Sequence, residues 1–527
     1  MDAMSKPNLC ARARNVTGLL LLALFAGCGG GSSSDSDGGE PTYAVGGSVN
    51  GLAGSGLVLQ LNGGTDLTIN ESGAYAFPAL ADGSDYAVTV KTQPTGTPAQ
   101  TCIVTNGSGT LNGADAVNID VTCSPWTKQI GGGGFTEVYR SATDAEGNLY
   151  VAGYTDLPLD GNPAVGVEDA FLIKYDRYGK RLYTRQWGAT GAYVNAAGVA
   201  VDGNGNVYVT GETDRGLDGH TLVGASDAYL IKFDPAGNRR TWQWGAVGDD
   251  IYIAGMAIDG SGNVYVAGAT RGGVDGNNWS GGNDVFLSKF DPAGNRTTQQ
   301  WGQAGKLTLP FAVAADGDGN AWVVGYTNGE FDGNTLTGSY DAFLTRSDAA
   351  GNRTTWQWGA PGAVIYASGV AVHGGNVYVA GNTDSGLDGN PMTGNSDVFM
   401  AKFDAAGNRS IWEWGAANGF TFAYNIAVDA GGNVYVTGNT NNGLDGNTPV
   451  GFYDSFLTKY DPQGNRQSWQ WSAGPGAYSQ GNTVGVDGDG NVYVAGTTDG
   501  PLDGNVQSAP GALDSYIVKY DTAGNRQ

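Results

Sequence analysis

From residue 126 onward, short apolar runs alternate with polar, glycine-rich turns, and no stretch repeats its apolar positions at helical spacing. One stretch shows the plan. Val199-Ala200-Val201 leads through Asp202-Gly203-Asn204-Gly205-Asn206 into Val207-Tyr208-Val209. A longer loop holding Leu217-Asp218-Gly219 precedes Asp227-Ala228-Tyr229-Leu230-Ile231-Lys232-Phe233, and Asp234-Pro235-Ala236-Gly237-Asn238 turns the chain into Trp242-Gln243-Trp244. The runs are β-branched or aromatic and the turns carry residues that tolerate positive φ, so the stretch reads as four short strands.

The same unit occurs seven times. The tag Gly-Asn-Val-Tyr-Val-x-Gly centres on Tyr150, Tyr208, Tyr265, Trp322, Tyr378, Tyr435 and Tyr493. At a fixed distance beyond each stands an aspartate: Asp160, Asp218, Asp275, Asp332, Asp388, Asp445 and Asp503. Four strands per repeat is the make-up of a propeller blade, so residues 125–527 are expected to form a seven-bladed β-propeller. The last unit stops at Gln527 before any Trp-x-Trp strand, and Trp126-Thr127-Lys128-Gln129-Ile130-Gly131 stands unmatched before the first. That upstream segment is expected to complete the final blade and close the ring, leaving no open edge.

Ahead of the repeats, residues 42–124 alternate over Leu57–Leu61, Tyr75-Ala76-Phe77 and Asp85–Val90, with Gly-Gly and Asp-Gly turns between. This reads as a small antiparallel β-sandwich, similar in texture to immunoglobulin-like or transthyretin-like spacer domains. Residues 1–28 read as an export signal: Lys6, Arg12 and Arg14 precede the apolar run Leu19–Ala26, which is too short to span a bilayer stably. Phe25-Ala26-Gly27-Cys28 resembles a bacterial lipobox, which implies acylation of Cys28. Residues 29–41 have nothing to bury and read as a flexible tether. Gly29 after the cysteine, by resemblance to enterobacterial sorting rules, implies an outer-membrane lipid anchor, on the cell surface or the periplasmic side. Cys10 leaves with the signal, so Cys102 and Cys123 are expected to pair in an oxidising compartment.

Composition narrows the function. Fifty-one acidic against 27 basic residues give a net charge of −24, which repels a phosphate backbone and excludes nucleic acid as a partner. Ninety glycines without a three-residue period, together with 10% aromatics, describe a turn-rich folded chain rather than a collagen-like or disordered one. No nucleophile elbow, phosphate loop or zinc-spaced cluster occurs, and His220 and His373 read as turn substitutions.

The Gly-Asn-Val-Tyr-Val-x-Gly, Asp-Ala-Phe-Leu-x-Lys-Tyr-Asp and Gly-Asn-Arg tags resemble the bacterial SBBP-type β-propeller repeat family. The resemblance implies exported, often surface-associated proteins and fixes no activity. Connectivity places the Leu-Asp-Gly-Asn loops and the aromatics between blades on one face. Tyr193, Tyr252, Tyr366, Phe420, Phe422, Tyr424 and Tyr478, with Trp279 from its own loop, form the expected binding face. The hairpin turns, with Arg239, Arg296, Arg353, Arg409, Arg466 and Arg526, are expected on the opposite face. The seven loop aspartates are either calcium ligands, since hard cations take carboxylates, or acceptors within their own tight turns. The Trp-x-Trp pairs are read as packing between blades. No cofactor is required, calcium apart. The expected role is a monomeric, lipid-anchored envelope protein that presents a propeller face to a protein or glycan. The alternatives are a polysaccharide hydrolase or lyase with acidic residues near the channel, and a calcium-stabilised spacer.

Overall fold

The computed structural model describes residues 40–52, 54–95, 100–330 and 332–527, all of it strand, turn and loop. The export signal, Cys28 and most of the tether lie outside the described residues.

Two four-stranded sheets form the N-terminal unit. One sheet runs Gly73–Ala81, Thr42–Asn50, Asp120–Pro125, Gln100–Thr105; the other runs Thr65–Ile69, Leu57–Leu61, Asp85–Thr92, Ser108–Thr110. The alternation of Leu57–Leu61 is reproduced in its burial, with Leu57, Leu59 and Leu61 inside against Val45, Val49, Ile119 and Val121. The all-antiparallel expectation needs one correction: Thr42–Asn50 pairs parallel to Asp120–Pro125, because the chain crosses from one sheet to the other before returning beside its first strand. Cys102 and Cys123 face each other on adjacent strands, buried and disulfide-bonded.

Residues 128–520 form seven further four-stranded antiparallel sheets. In the second, Gly198–Val201, Val207–Thr213, Asp227–Phe233 and Arg239–Trp244 lie in order. The two middle strands are buried along nearly their whole length, because neighbouring sheets cover both faces; this is why they read as continuous apolar runs rather than alternating ones. The outer Trp of one sheet packs on the third strand of the next, as Trp244 does on Phe290 at 5.2 Å.

The turns explain the tags. Asp202 Oδ1 accepts the amides of Asn204 and Asn206, both at 2.9 Å, while Oδ2 accepts the Asn206 amide group at 2.7 Å and the Tyr208 hydroxyl at 3.3 Å. One carboxylate thus closes the turn and orients the aromatic of the next strand. The glycine ending each tag has a different cause. A side chain at Gly211 would overlap the carbonyl oxygen of Asn195, just ahead of the first strand, and Gly153, Gly325 and Gly438 meet a carbonyl oxygen of the first strand itself. In the fifth sheet Gly374 and Gly375, both at positive φ, make a two-residue hairpin from His373 to Asn376.

First strands of successive sheets touch one another, and that of the seventh, Ser479–Val486, touches that of the first, Thr136–Thr143. The seventh sheet is assembled from both ends of the repeat region: its fourth strand is Lys128–Ile130, paired antiparallel to Asp514–Tyr520. Thr127 Oγ1 and the Arg526 guanidinium both donate to Asp503, each at 2.5 Å.

Candidate functional site: a recess among the first strands

The first strands carry a repeated irregularity. Their pairing with the second strands slips by one residue between Val138 and Arg140, Ile253 and Gly255, Pro310 and Ala312, Ala367 and Gly369, Ala423 and Asn425, and Gly481 and Thr483. A bulge of this kind re-aims the extra side chain. Here it turns Tyr139, Phe311, Ser368, Tyr424 and Asn482 toward a shared recess of about 260 Å³, which Glu137, Tyr252, Tyr366 and Gln480 also line. Phe311 lies 6.1 Å from Tyr366 and 5.5 Å from Tyr326, ring centre to ring centre. The floor is Arg140. From the first sheet its guanidinium reaches the carbonyls of Ala254, at 3.0 Å, and Phe311, at 3.2 Å, in the third and fourth sheets, so these strands face one another across a central space. A second, deeper cavity of about 150 Å³ lies beyond it.

Burial governs the electrostatics here. It raises Glu137 above the ordinary carboxylate range, although Tyr154 and Asn482 donate to it at 3.3 and 3.4 Å. It raises Glu212 likewise, against the pull of the Ile253 amide and the Asn195 side chain. Burial also raises Tyr139, Tyr252, Tyr366 and Tyr424, so these tyrosines stay protonated and able to donate. It lowers Arg140, with no carboxylate ion-paired to it among the described residues.

Of the aromatics expected on one face, Tyr252, Tyr366 and Tyr424 come together in the recess. Tyr193 and Phe420 stand in the connections between sheets, 53% and 41% exposed, with Phe422 stacked 6.2 Å from Phe420. Tyr478 is tied to Gln480 and to Asn439. Trp279 is half exposed in its own loop, its indole N–H donated to the Gly282 carbonyl, and does not line the recess. Sequence reasoning missed Tyr139, Arg140, Phe311 and Asn482. For Arg140 a signal existed: the matching positions in the other units hold Gly198, Gly255, Ala312, Gly369, Asn425 and Thr483.

The loop aspartates require a correction. They do not share a face opposed to the arginines; each Leu-Asp-Gly-Asn loop folds along the fourth strand, where in six sheets its aspartate meets the arginine that starts that strand and in the seventh meets Arg526, which follows the third strand. Asp218 pairs with Arg239 at 2.8 Å and Asp388 with Arg409 at 2.8 Å. Asp160 pairs with Arg181, Asp275 with Arg296, Asp332 with Arg353, Asp445 with Arg466 and Asp503 with Arg526. A hydroxyl adds a second donor, as Thr241 does for Asp218 and Thr127 for Asp503. The backbone at all seven is left-handed, φ 50° to 54°. Six of these arginines also lie over the outer Trp of the preceding sheet, as Arg296 does over Trp244 at 5.0 Å. The residues do not fit calcium. The cation each carboxylate meets is a guanidinium, and no three acidic, His or Cys groups converge among the described residues. His220 keeps its loop's contact to the fourth strand, placing Nε2 3.1 Å from the Thr241 carbonyl where Asn277 donates to Thr298 in the next unit.

Radially packed four-stranded repeats around a central recess define an all-β repeat protein. Residues 126–160, 182–218, 242–273, 298–332, 413–445 and 470–503 match the SBBP β-propeller repeat; the chain is therefore a β-propeller repeat protein carrying six such repeats. The stretch around Tyr378, whose hairpin is shortened, is not among those matched. Among curated proteins, regulatory protein FlaEY of Caulobacter vibrioides is 26% identical over 420 residues, 68% of this chain and 42% of that protein. The uncharacterized WD repeat-containing protein L264 of Acanthamoeba polyphaga mimivirus is 24% identical over 495 residues, 76% of this chain and 34% of that protein. The chain thus spans less than half the length of these relatives. Among solved structures, the polysaccharide lyase Uly1 overlaps 73% of this chain and 90% of its own at 12% identity and a TM-score of 0.42. A Synechocystis apocarotenoid oxygenase variant overlaps 76% and 91% at 10% identity and a TM-score of 0.38. Similarity at this level says nothing of what this chain acts on.

Proposed function

We propose that the chain is an exported, lipid-tethered binding protein whose seven sheets form a closed seven-bladed ring, and that the recess among the first strands receives a glycan. The signal segment ending at Cys28 supports export and anchoring at the outer membrane, with the small sandwich as a spacer. The strand Lys128–Ile130 in the last sheet supports closure. The observation that carries the binding role is the grouping of Tyr139, Tyr252, Phe311, Tyr366 and Tyr424 around one recess. Aromatic faces stack on the apolar faces of sugar rings, while Gln480, Asn482 and the tyrosine hydroxyls supply hydrogen bonds.

A second reading is hydrolysis or lysis of a polysaccharide, favoured by the burial that raises Glu137 at the recess wall. The mature chain without its lipid separates the two. Binding to members of a polysaccharide panel is expected, weakened about tenfold or more by Tyr366→Ala or Tyr424→Ala as stacking is lost, with no shortening of the polymer. Depolymerisation abolished by Glu137→Gln establishes the enzyme instead, and no binding to any glycan overturns both. In cells, Cys28→Ser is expected to release the protein into the soluble fraction; retention at the membrane overturns the anchor.

A further inference from the structure

Arg140 breaks the repeat at the one place where breaking it fills the centre of the molecule. Its counterparts are small, and Gly255 is one of them: a Cβ built there meets Arg140 Nε at 3.9 Å. Three of its bonds are accounted for, to the carbonyls of Tyr139 at 3.0 Å, Ala254 at 3.0 Å and Phe311 at 3.2 Å. A guanidinium has five N–H donors, so two remain beyond these three, and Arg140 borders both the recess and the second cavity. The neighbouring carboxylates are engaged elsewhere: Glu137 by Tyr154 and Asn482, Glu212 by Asn195 and the Ile253 amide. By contrast, the arginines of the seven loops each have an aspartate. A partly buried guanidinium that donates to carbonyls and has no carboxylate ion-paired to it among the described residues is open to an anion, and a planar carboxylate is the group that matches its geometry.

We infer that the glycan taken by this recess carries a carboxylate on its sugar ring, and that this carboxylate seats on Arg140 between the Tyr139 and Tyr252 rings. The inference rests on the glycan reading and adds the class of sugar, a uronate. Arg140 holds the acid group at the floor, and the aromatic rim holds the ring.

The test is calorimetric titration of the full mature chain with an oligoglucuronate, its carboxyl-reduced neutral counterpart and a sulfated neutral oligomer. The wild-type chain is expected to bind the oligoglucuronate at least about tenfold tighter than the reduced form. Arg140→Met is expected to remove that difference and Arg140→Lys to keep part of it. Equal affinity for acidic and reduced oligomers overturns the inference and leaves the glycan reading standing. Tighter binding of the sulfated oligomer overturns the carboxylate assignment, and binding of none overturns both readings. The wild-type comparison decides the matter even where Arg140→Met does not fold.

Discussion

At the scale of single residues, the most informative position is an exception in the outer strands. Gln129, Gln186, Gln243, Gln300, Gln357 and Gln470 each donate a side-chain N–H to the buried aspartate that begins the third strand, at 2.8 to 3.1 Å. In the fifth sheet the residue is Glu413, facing Asp397. Its Oε2 accepts the Leu387 amide at 2.9 Å, and Oε1 is buried without a partner. Burial, with the charge of Asp397 added, pushes the Glu413 carboxyl up to about 7, against the pull of the Leu387 amide. Protonated, it can donate to Asp397 as glutamine does. A carboxyl raised in the folded state contributes stability that is complete below its unfolded value, 4.5, and lost as pH rises through about 7. Glu413→Gln is therefore expected to stabilise the protein by about 1 kcal/mol at pH 8, after discounting for solvent screening, with the gain shrinking toward pH 5. Urea unfolding at both pH values measures it; a gain independent of pH rules out the buried proton.

At the scale of elements, six of the seven units are fastened by a clasp of aspartate, arginine and tryptophan. The loop after the second strand runs along the fourth and shields what would be an open sheet edge. The arginine joins that loop to the indole of the preceding sheet, so one side chain bridges two repeats. Arg296→Ala is expected to cost about 1–2 kcal/mol through lost ion pairing and cation–π contact. Asp275→Asn, which keeps a residue tolerant of the left-handed backbone, is expected to cost about 0.5–1 kcal/mol. Thermal unfolding checks both. In the same assay a metal chelator is expected to leave the midpoint unchanged, since the positive charge at these carboxylates belongs to the chain. A fall in midpoint on chelation would reinstate calcium.

At the scale of the whole molecule, the strand taken from ahead of the repeats is expected to stabilise the last sheet. Lys128–Ile130 takes up the contacts of an ordinary fourth strand: Thr127 donates to Asp503 as Thr241 does to Asp218, and Gln129 donates to Asp514 as Gln243 does to Asp227. A chain starting at Gly131 leaves Asp514–Tyr520 as a bare edge and strips Asp503 of one donor. Limited trypsin digestion is expected to cut such a chain within residues 479–527 well before it cuts the chain starting at Pro125. Equal resistance of the two would mean that the closing strand contributes little.

Much of this was legible beforehand because a repeat reports its own register. Seven copies of one spacing state the number of strands, the place of each turn and the segment left over at the N-terminus. The tags also carry their local physics, since an aspartate that closes its own turn needs only its neighbours in sequence. Tertiary structure alone decided what lies far apart in the chain. Connectivity separated the loop aspartates from the arginines, yet the loop folds back over the outer strand because an uncovered edge is costly, and the two meet as ion pairs. The recess was invisible for a related reason: a one-residue bulge turns a side chain inward without altering the pattern of apolar and polar positions. Arg140 stood in the sequence as an oddity among small residues. Only the closing of the first strands around a common centre set it opposite the carbonyls of Ala254 and Phe311, with room left above it for a ligand.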